Sequence, residues 1–400
     1  MKKICLTVVG MYCMLLHAFS QATKDSAAFQ PRKLTLDEVD LVSSYYTQNG
    51  DHSAIGGGIG TEKVTDLANG LELKWVGWDG LGRKNTLTAG MGIDHHTAAS
   101  QAYISKTGAS RRTDGLRLYP SLDWTHENEK KGASLSLGAY YSNEFNYKSI
   151  GLNAGATKKT KNNGEFGVKL SAFFDQVRLI YPSEFEPAGS YGGFGERRHP
   201  DYGSSPRQTY TASFSFSQVI NTRLQASLLL DLVEQHGYLG LPFHRVYFTD
   251  GTDAVENLPS SRFKLPIGLR LNYFMGDRII LRGYYRYYTD NWGLQAHTAS
   301  LEVPVKLTPF FSISPFYRYY TQTAVKYFAP YEAHLTTDKY YTSNYALSSF
   351  SSGFFGGNLR IAPPNGIFGT HLSAMEIRYG HYTQTTDLVS DVISLHLQFR

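Results

Sequence analysis

The sequence is short of several things, and each shortage removes a class of protein. Only 2 of its 400 residues are cysteine, and both, Cys5 and Cys13, lie in an apolar stretch near the start. Beyond that stretch no thiol remains for a disulfide framework, a zinc site or a cysteine nucleophile. After the segment from Val9 to Leu16 no long apolar run recurs, and the mean hydropathy is -0.32, which excludes a bundle of membrane helices. Charge is also scarce, at 18% of residues with a formal net of +5, and no basic tract points to a nucleic-acid partner. Aromatic residues are what the chain has in quantity. It holds 29 Tyr, 23 Phe and 4 Trp, 14% of the total, spread along its length, and a chain so rich in groups to bury is not intrinsically disordered.

The beginning reads as a secretory leader. Lys2 and Lys3 precede the apolar stretch from Ile4 to Leu16, and Ala18-Phe19-Ser20 supplies small residues two apart, so cleavage is expected after Ser20. Tyr12 is too bulky for the position before a lipid-modified cysteine at Cys13. Without the two lysines the formal charge falls from +5 to +3. The expected organisation is a signal peptide over 1–20, a short periplasmic segment over 21–37 and one domain over 38–400.

That domain shows period two, which predicts β-strands. Phe263, Leu265, Ile267, Leu269, Leu271 and Tyr273 alternate with Lys264, Arg270 and Asn272; Ile279, Leu281, Tyr285 and Tyr287 alternate with Arg282, Tyr284, Arg286, Tyr288 and Asp290. The split continues to the end, where Ile393, Leu395, Leu397 and Phe399 alternate with Ser394, His396 and Gln398. The runs are about 12 to 16 residues long, beyond the five or six usual in soluble sandwiches and enough for a tilted strand to cross a hydrocarbon layer. Tight turns at 221–222, 276–277, 308–309 and 363–366 alternate with long polar segments near 179–206, 237–259 and 329–346. The fold class expected is all-β, a transmembrane antiparallel barrel of about sixteen strands, with 14 as the alternative count, short periplasmic turns and long extracellular loops. Counting back from Phe399 gives an even number only when a first strand covers roughly 39–48.

Four related strings, YYTQ at 45–48, YYT at 287–289, YYTQ at 319–322 and YTQ at 382–384, fall at the outer ends of upward strands. Tyr45, Tyr46, Tyr287, Tyr288, Tyr319, Tyr320 and Tyr382 are therefore expected to form an outer aromatic girdle, where a ring sits in lipid and its hydroxyl in water. The alternative is that tyrosine merely favours strands.

Longer stretches carry a resemblance. YYTQNGDHSAIGGGIGTEK (45–63), RFKLPIGLRLNYF (262–274), YYRYYTDNWG (284–293), PFYRYYTQ (315–322) and YYTSNYALSSFSS (340–352) resemble the bacterial domain-of-unknown-function family 3570 over most of the chain. The resemblance implies an outer-membrane barrel of a Gram-negative bacterium with no agreed activity, in an envelope redox or flavin-transfer context. One departure is the run Asp94-His95-His96-Thr97-Ala98-Ala99-Ser100, where the family commonly has a Ser-Gly-Ala-Ser-Pro-like run after the Asp.

The inward face is the most informative chemically. Lys264, Arg270, Arg282, Arg286, Glu302, Lys306, Arg318, Glu376 and Arg378 are expected to line the lumen. They either brace the wall as a ladder of charge-assisted bonds or make a cationic lining that favours anionic or polar solutes. A segment within 187–194 is expected to fold inward. Asp51, His52, Asp94, His95 and His96 form a candidate cluster at the extracellular rim, read as an omptin-like hydrolytic site, a weak metal site or inert polar rim residues. The glycine run at 56–60 lacks the Lys-Ser/Thr and helix of a phosphate cradle. No cofactor is expected. The partners expected are outer-membrane lipid, the barrel-assembly machinery acting on the C-terminal strand, small polar or anionic solutes and a periplasmic protein, with no nucleic acid. The function expected is a channel, with a plugged docking barrel and a rim hydrolase as alternatives.

Overall fold

The computed structural model describes residues 30–98, 115–144, 146–185 and 203–400. Its strands are β1 (Arg32–Asn49), β2 (Val64–Trp78), β3 (Lys84–Ala98), β4 (Gly115–Asn128), β5 (Ala133–Glu144), β6 (Tyr147–Lys159), β7 (Gly164–Arg178), β8 (Ser204–Asn221) and β9 (Leu224–Gly237). A small hairpin follows, β10 (Arg245–Tyr247) with β11 (Asp253–Val255). The rest are β12 (Ser261–Met275), β13 (Ile279–Asp290), β14 (Gln295–Glu302), β15 (Val305–Lys306), β16 (Phe311–Gln322), β17 (Phe350–Ile361), β18 (Leu372–Gln384) and β19 (Leu388–Phe399).

Each strand pairs antiparallel with its neighbours in sequence, and β1 pairs with β19 from Val39 opposite Phe399 to Asn49 opposite Val389. The sheet therefore closes on itself and leaves no edge. β14 and β15 are two halves of one strand. Pro304, which has no N–H to give the ladder, separates them, while its carbonyl still accepts from Ile280 N at 3.0 Å. Counted so, the barrel has 16 strands, not 14.

Closure follows from the alternation. Leu170 and Leu228 are 55% and 56% exposed on the outer surface, and Leu41, Leu122, Ile267, Tyr317 and Leu395 share that face. The opposite face of the same strands holds the ionic contacts described below. An apolar exterior around a polar interior suits a barrel that pairs every backbone amide within hydrocarbon.

One boundary differs from expectation. β1 starts at Arg32, not near 39, because its first residues pair with Val76 and Trp78 of an extended β2 before β19 begins to contribute. Part of the expected periplasmic segment is thus strand. The connections are also less uniform than the sequence suggests: 145–146, 291–294 and 385–387 are short although they lie at the outer end. Three long connections there, 50–63, 238–260 and 323–349, are not loose polar loops. They fold together into a cap with the only sizeable buried apolar clusters among the described residues.

Candidate functional site

The cap is built from aromatics that have no place in a membrane wall. Trp292, Leu294, Ala296 and Val325 form one core, packed by Leu239, Leu258, Tyr327, Phe328 and Leu347 from above and by Tyr288 and Tyr320 from the wall. Ile55, Ile180 and Phe243 form a second. Between them runs a buried polar network. Glu256 accepts from the Thr342 hydroxyl and from Leu241 N at 2.9 Å, and His244 Nδ1 lies 3.5 Å from it. Burial alone pushes the Glu256 carboxyl up, but His244 and these hydrogen bonds override it and hold the group below the ordinary carboxylate range. Arg245 ties the cap sideways by donating to the Ile55 carbonyl at 2.8 Å and pairing with Glu184.

The cap rests on the tyrosine strings. Tyr46 donates to Gln48 Oε1 at 2.7 Å, Tyr288 to Asp290 Oδ2 at 2.8 Å, Tyr320 to Gln322 Oε1 at 2.6 Å and Tyr382 to Gln384 Oε1 at 2.7 Å. These four hydroxyls point into the lumen. Strand register separates them from Tyr45, Tyr287 and Tyr319, which face outward beside them. The seven tyrosines thus do not all form a lipid-facing girdle, because adjacent residues of a strand occupy opposite faces. Each inward tyrosine orients a polar partner that holds a loop: Gln48 Nε2 donates to the Glu62 carbonyl at 3.1 Å and Gln322 Nε2 to the Ala346 carbonyl at 3.1 Å. Asp290 likewise accepts from Leu294 N at 3.1 Å and pairs with Arg262, whose guanidinium lies 4.3 Å from the Trp292 ring centre.

Below the cap, strand register places all nine expected lumen residues on the inner face. Arg282 bonds Glu302 at 3.0 Å, and Arg378 passes over the Phe316 ring, 4.3 Å from its centre, to approach the same carboxylate at 3.8 Å. Glu376 lies 3.8 Å from Arg360. Arg318 lies over Phe354 at 4.8 Å, and Arg270 faces Tyr284 at 5.9 Å. Among the described residues, Lys264, Arg270, Arg286, Lys306 and Arg318 have no carboxylate in salt-bridge contact.

The facing arc, β1 to β9, has the other sign. Asp66, Asp94, Asp123, Glu144, Asp175 and Asp231 all point inward there. Inward-facing Arg117 and Lys169, with Arg207 beside Asp175 at 3.0 Å and Lys74 beside Glu38 at 3.4 Å, offset only part of it. The lumen is two-sided, basic on one wall and acidic on the other, and not uniformly cationic. Sequence reading missed the acidic wall because its carboxylates come one per strand, each ordinary in its own window.

The expected rim cluster does not assemble. Asp94 accepts from Tyr119 at 2.6 Å on the inner face, and Tyr119 lies flat over Gly92, where an added Cβ would fall 1.9 Å from the ring. His96, also inward, is 3.3 Å from Glu144, while His95 points to the outer face. His52 is in the cap, stacked on Tyr345 with centroids 3.8 Å apart, and Asp51 is exposed beside it. Among the described residues no group of three or more His, Cys, Asp or Glu is placed to hold a metal. The segment 187–194 and residues 99–100 lie outside the described residues.

A closed barrel with an apolar waist, a polar lumen and its longest connections gathered at one end is an outer-membrane β-barrel of the Gram-negative envelope. A family model described as protein of unknown function, DUF3570, matches residues 94–386, and the chain belongs to that family. No curated protein matches it. Solved structures that it resembles include OccK7 (OpdD) of Pseudomonas aeruginosa, at 9% identity and TM-score 0.43, covering 91% of this chain and 98% of that one. A BenF-like porin of Pseudomonas fluorescens Pf-5 is 7% identical with TM-score 0.41 over 91% and 98%, and OccAB3 of Acinetobacter baumannii 10% identical with TM-score 0.42 over 90% and 98%. Likeness at this level carries no argument about solute, site or mechanism.

Proposed function

We propose that the barrel is a porin-like conduit for small polar solutes, with preference for those bearing a negative group. The observation that carries this reading is the row of Lys264, Arg270, Arg286, Lys306 and Arg318 on one wall of the lumen, none of them in salt-bridge contact with a carboxylate among the described residues. A cation spared internal pairing keeps its field for a passing anion, and rings or rows of such groups set the selectivity of pores. The acidic wall opposite steepens the potential across the lumen and favours polar solutes that orient in it. No residue of the barrel supplies a separate argument for an envelope redox link, so the proposed function does not include one. A rim hydrolase is not proposed either, since its residues take different faces.

The test is conductance of the purified full-length protein in planar bilayers under a salt gradient. Wild type is expected to conduct with a reversal potential on the anion-selective side, and Arg286→Ala with Arg318→Ala to shift that potential toward cations. Arg282 is the weaker choice, because it is engaged with Glu302. Absence of conductance, or a reversal potential indifferent to the double variant, would refute the reading. A second reading, a docking barrel with its mouth closed, is favoured by the cap packing on Tyr288 and Tyr320. It predicts no conductance in wild type and its appearance once the cap is loosened by Thr342→Val.

A further inference from the structure

Between the cap and the wall at the β1 and β18–β19 side lies a half-enclosed cavity of about 370 Å³. Ile55, Val64, Phe350 and Leu388 give it an apolar side; Gln48, His52, Glu62 and Gln384 give it a polar one. The two glutamines have little left to offer a ligand. Gln48 accepts from Tyr46 and donates to the Glu62 carbonyl, and Gln384 accepts from Tyr382 and donates to the Thr386 hydroxyl at 2.6 Å. His52 Nδ1 lies 2.9 Å from the Gly58 carbonyl, so it carries the proton and donates, which leaves Nε2 as an acceptor in the neutral ring. The Glu62 carboxylate, partly buried against Gly50, has no cation or donor side chain bonded to it among the described residues.

Ser53, Asn344, Tyr345 and Thr386 also line the cavity and can donate, but its one carboxylate, Glu62, is without a bonded cation among the described residues and stands beside an apolar wall, and that pairing has a definite complement. We propose that this cavity binds a primary ammonium group on a short apolar chain, the ammonium at Glu62 and His52 Nε2, the chain along Val64, Phe350 and Leu388. An alkylammonium supplies three donors and a charge to the polar side and carbon to the other. An alcohol lacks the charge, and a carboxylate would meet Glu62 with the same sign. The charged or titratable groups at the cavity are Glu62, His52, His244 and Tyr345, with Asp51 next in chain and Tyr46 within electrostatic reach of Glu62. Burial first, then Asp51, raises the Glu62 carboxyl above its ordinary range, against an opposing pull from His52. Ionisation of Glu62 strengthens the site as pH rises.

The probe is n-butylammonium, compared with n-butanol and butyrate, and binding to the full-length protein in detergent is followed by ligand-detected saturation-transfer NMR. The ammonium is expected to bind, the other two not, with affinity increasing between pH 5 and pH 8. Glu62→Gln, checked for native heat-modifiable migration, is expected to weaken binding at least tenfold. Equal binding of butanol or butyrate, or a Glu62→Gln variant that binds as well as wild type, overturns the proposal. Should that variant fail to fold, the wild-type pH series decides: affinity flat or falling with pH overturns it. The inference does not rest on the conduit. A barrel that conducts and does not bind butylammonium removes only the site, and one that binds without conducting removes only the conduit.

Discussion

Thr342→Val removes one hydroxyl from the middle of the cap and tests whether the cap is a folded unit. Thr342 is fully buried, and its hydroxyl donates to a Glu256 carboxylate that is buried as well. Valine fills nearly the same space, so the loss is that of a hydrogen bond to a charge, worth about 1.5–3 kcal/mol, together with the weaker one that the hydroxyl accepts from Asn344 N at 3.1 Å. The carboxylate would keep Leu241 N and the neighbouring His244, too little to replace the donor within a dry interior. If the cap opens as one cooperative unit, its amides exchange with deuterium roughly 10- to 150-fold faster, the same energy written as a ratio. The amides to follow are Thr342 N, bonded to the Tyr327 carbonyl at 2.9 Å, and Tyr341 N, bonded to the Asn257 carbonyl at 2.8 Å. Mid-strand amides of β6 and β7 serve as the internal reference and are expected to be unchanged. Acceleration confined to Thr342 itself, or none, would refute the picture of a cap organised around a buried carboxylate.

The same carboxylate sets the pH response of the cap. Glu256 titrates below its ordinary range when folded, so its contribution is present above the unfolded pKa, near 4.3, and is lost as pH falls through the lower folded value; limited proteolysis of the cap is expected to stay slow down to about pH 5 and to accelerate only in stronger acid. Deleting 388–400 removes the partner of both β1 and β18 and with it the clamp of Arg400 on Glu38. The opened barrel then exposes two strand edges, and heat-modifiable protein is expected to vanish from the outer membrane; its persistence there would count against β19 as the closing strand.

How much of this was legible beforehand depends on which interaction did the deciding. The barrel was legible because period two, strand length and alternating turns are local, and lipid on one side enforces them on every strand. The cap was not legible. Its core joins Trp292 to Tyr327 and Phe328, and Ile55 to Phe243, across connections far apart in sequence, and no periodicity marks such contacts. The sideways opposition of acidic and basic walls was hidden for the same reason, since it appears only when the sheet is closed.

The tyrosine strings lie between these cases, and the signal that sorts them was present. In YYTQ both rings sit near the membrane boundary, and both residues are amphipathic, so hydropathy cannot say which one faces lipid. Parity can. The glutamine two positions after the second tyrosine must share its face, and an amide that must hold a loop belongs inside; Tyr46 with Gln48, Tyr320 with Gln322 and Tyr382 with Gln384 are therefore inward pairs, and Tyr288 with Asp290 is a fourth with a carboxylate in the same role. The first tyrosine of each pair is left to the outer face, where Tyr319 donates to Ser351 at 3.2 Å at the surface. The repeated string thus encodes two jobs in adjacent residues, a ring toward lipid and a bracket toward the cap. The brackets stand on β1, β13, β16 and β18, the upward strands of one continuous arc. Over that arc Gln48 holds the Glu62 carbonyl, Gln322 the Ala346 carbonyl and Asp290 the Leu294 N–H, so lifting the cap there requires breaking those bonds, whereas Gln384 reaches only Thr386 of its own short turn.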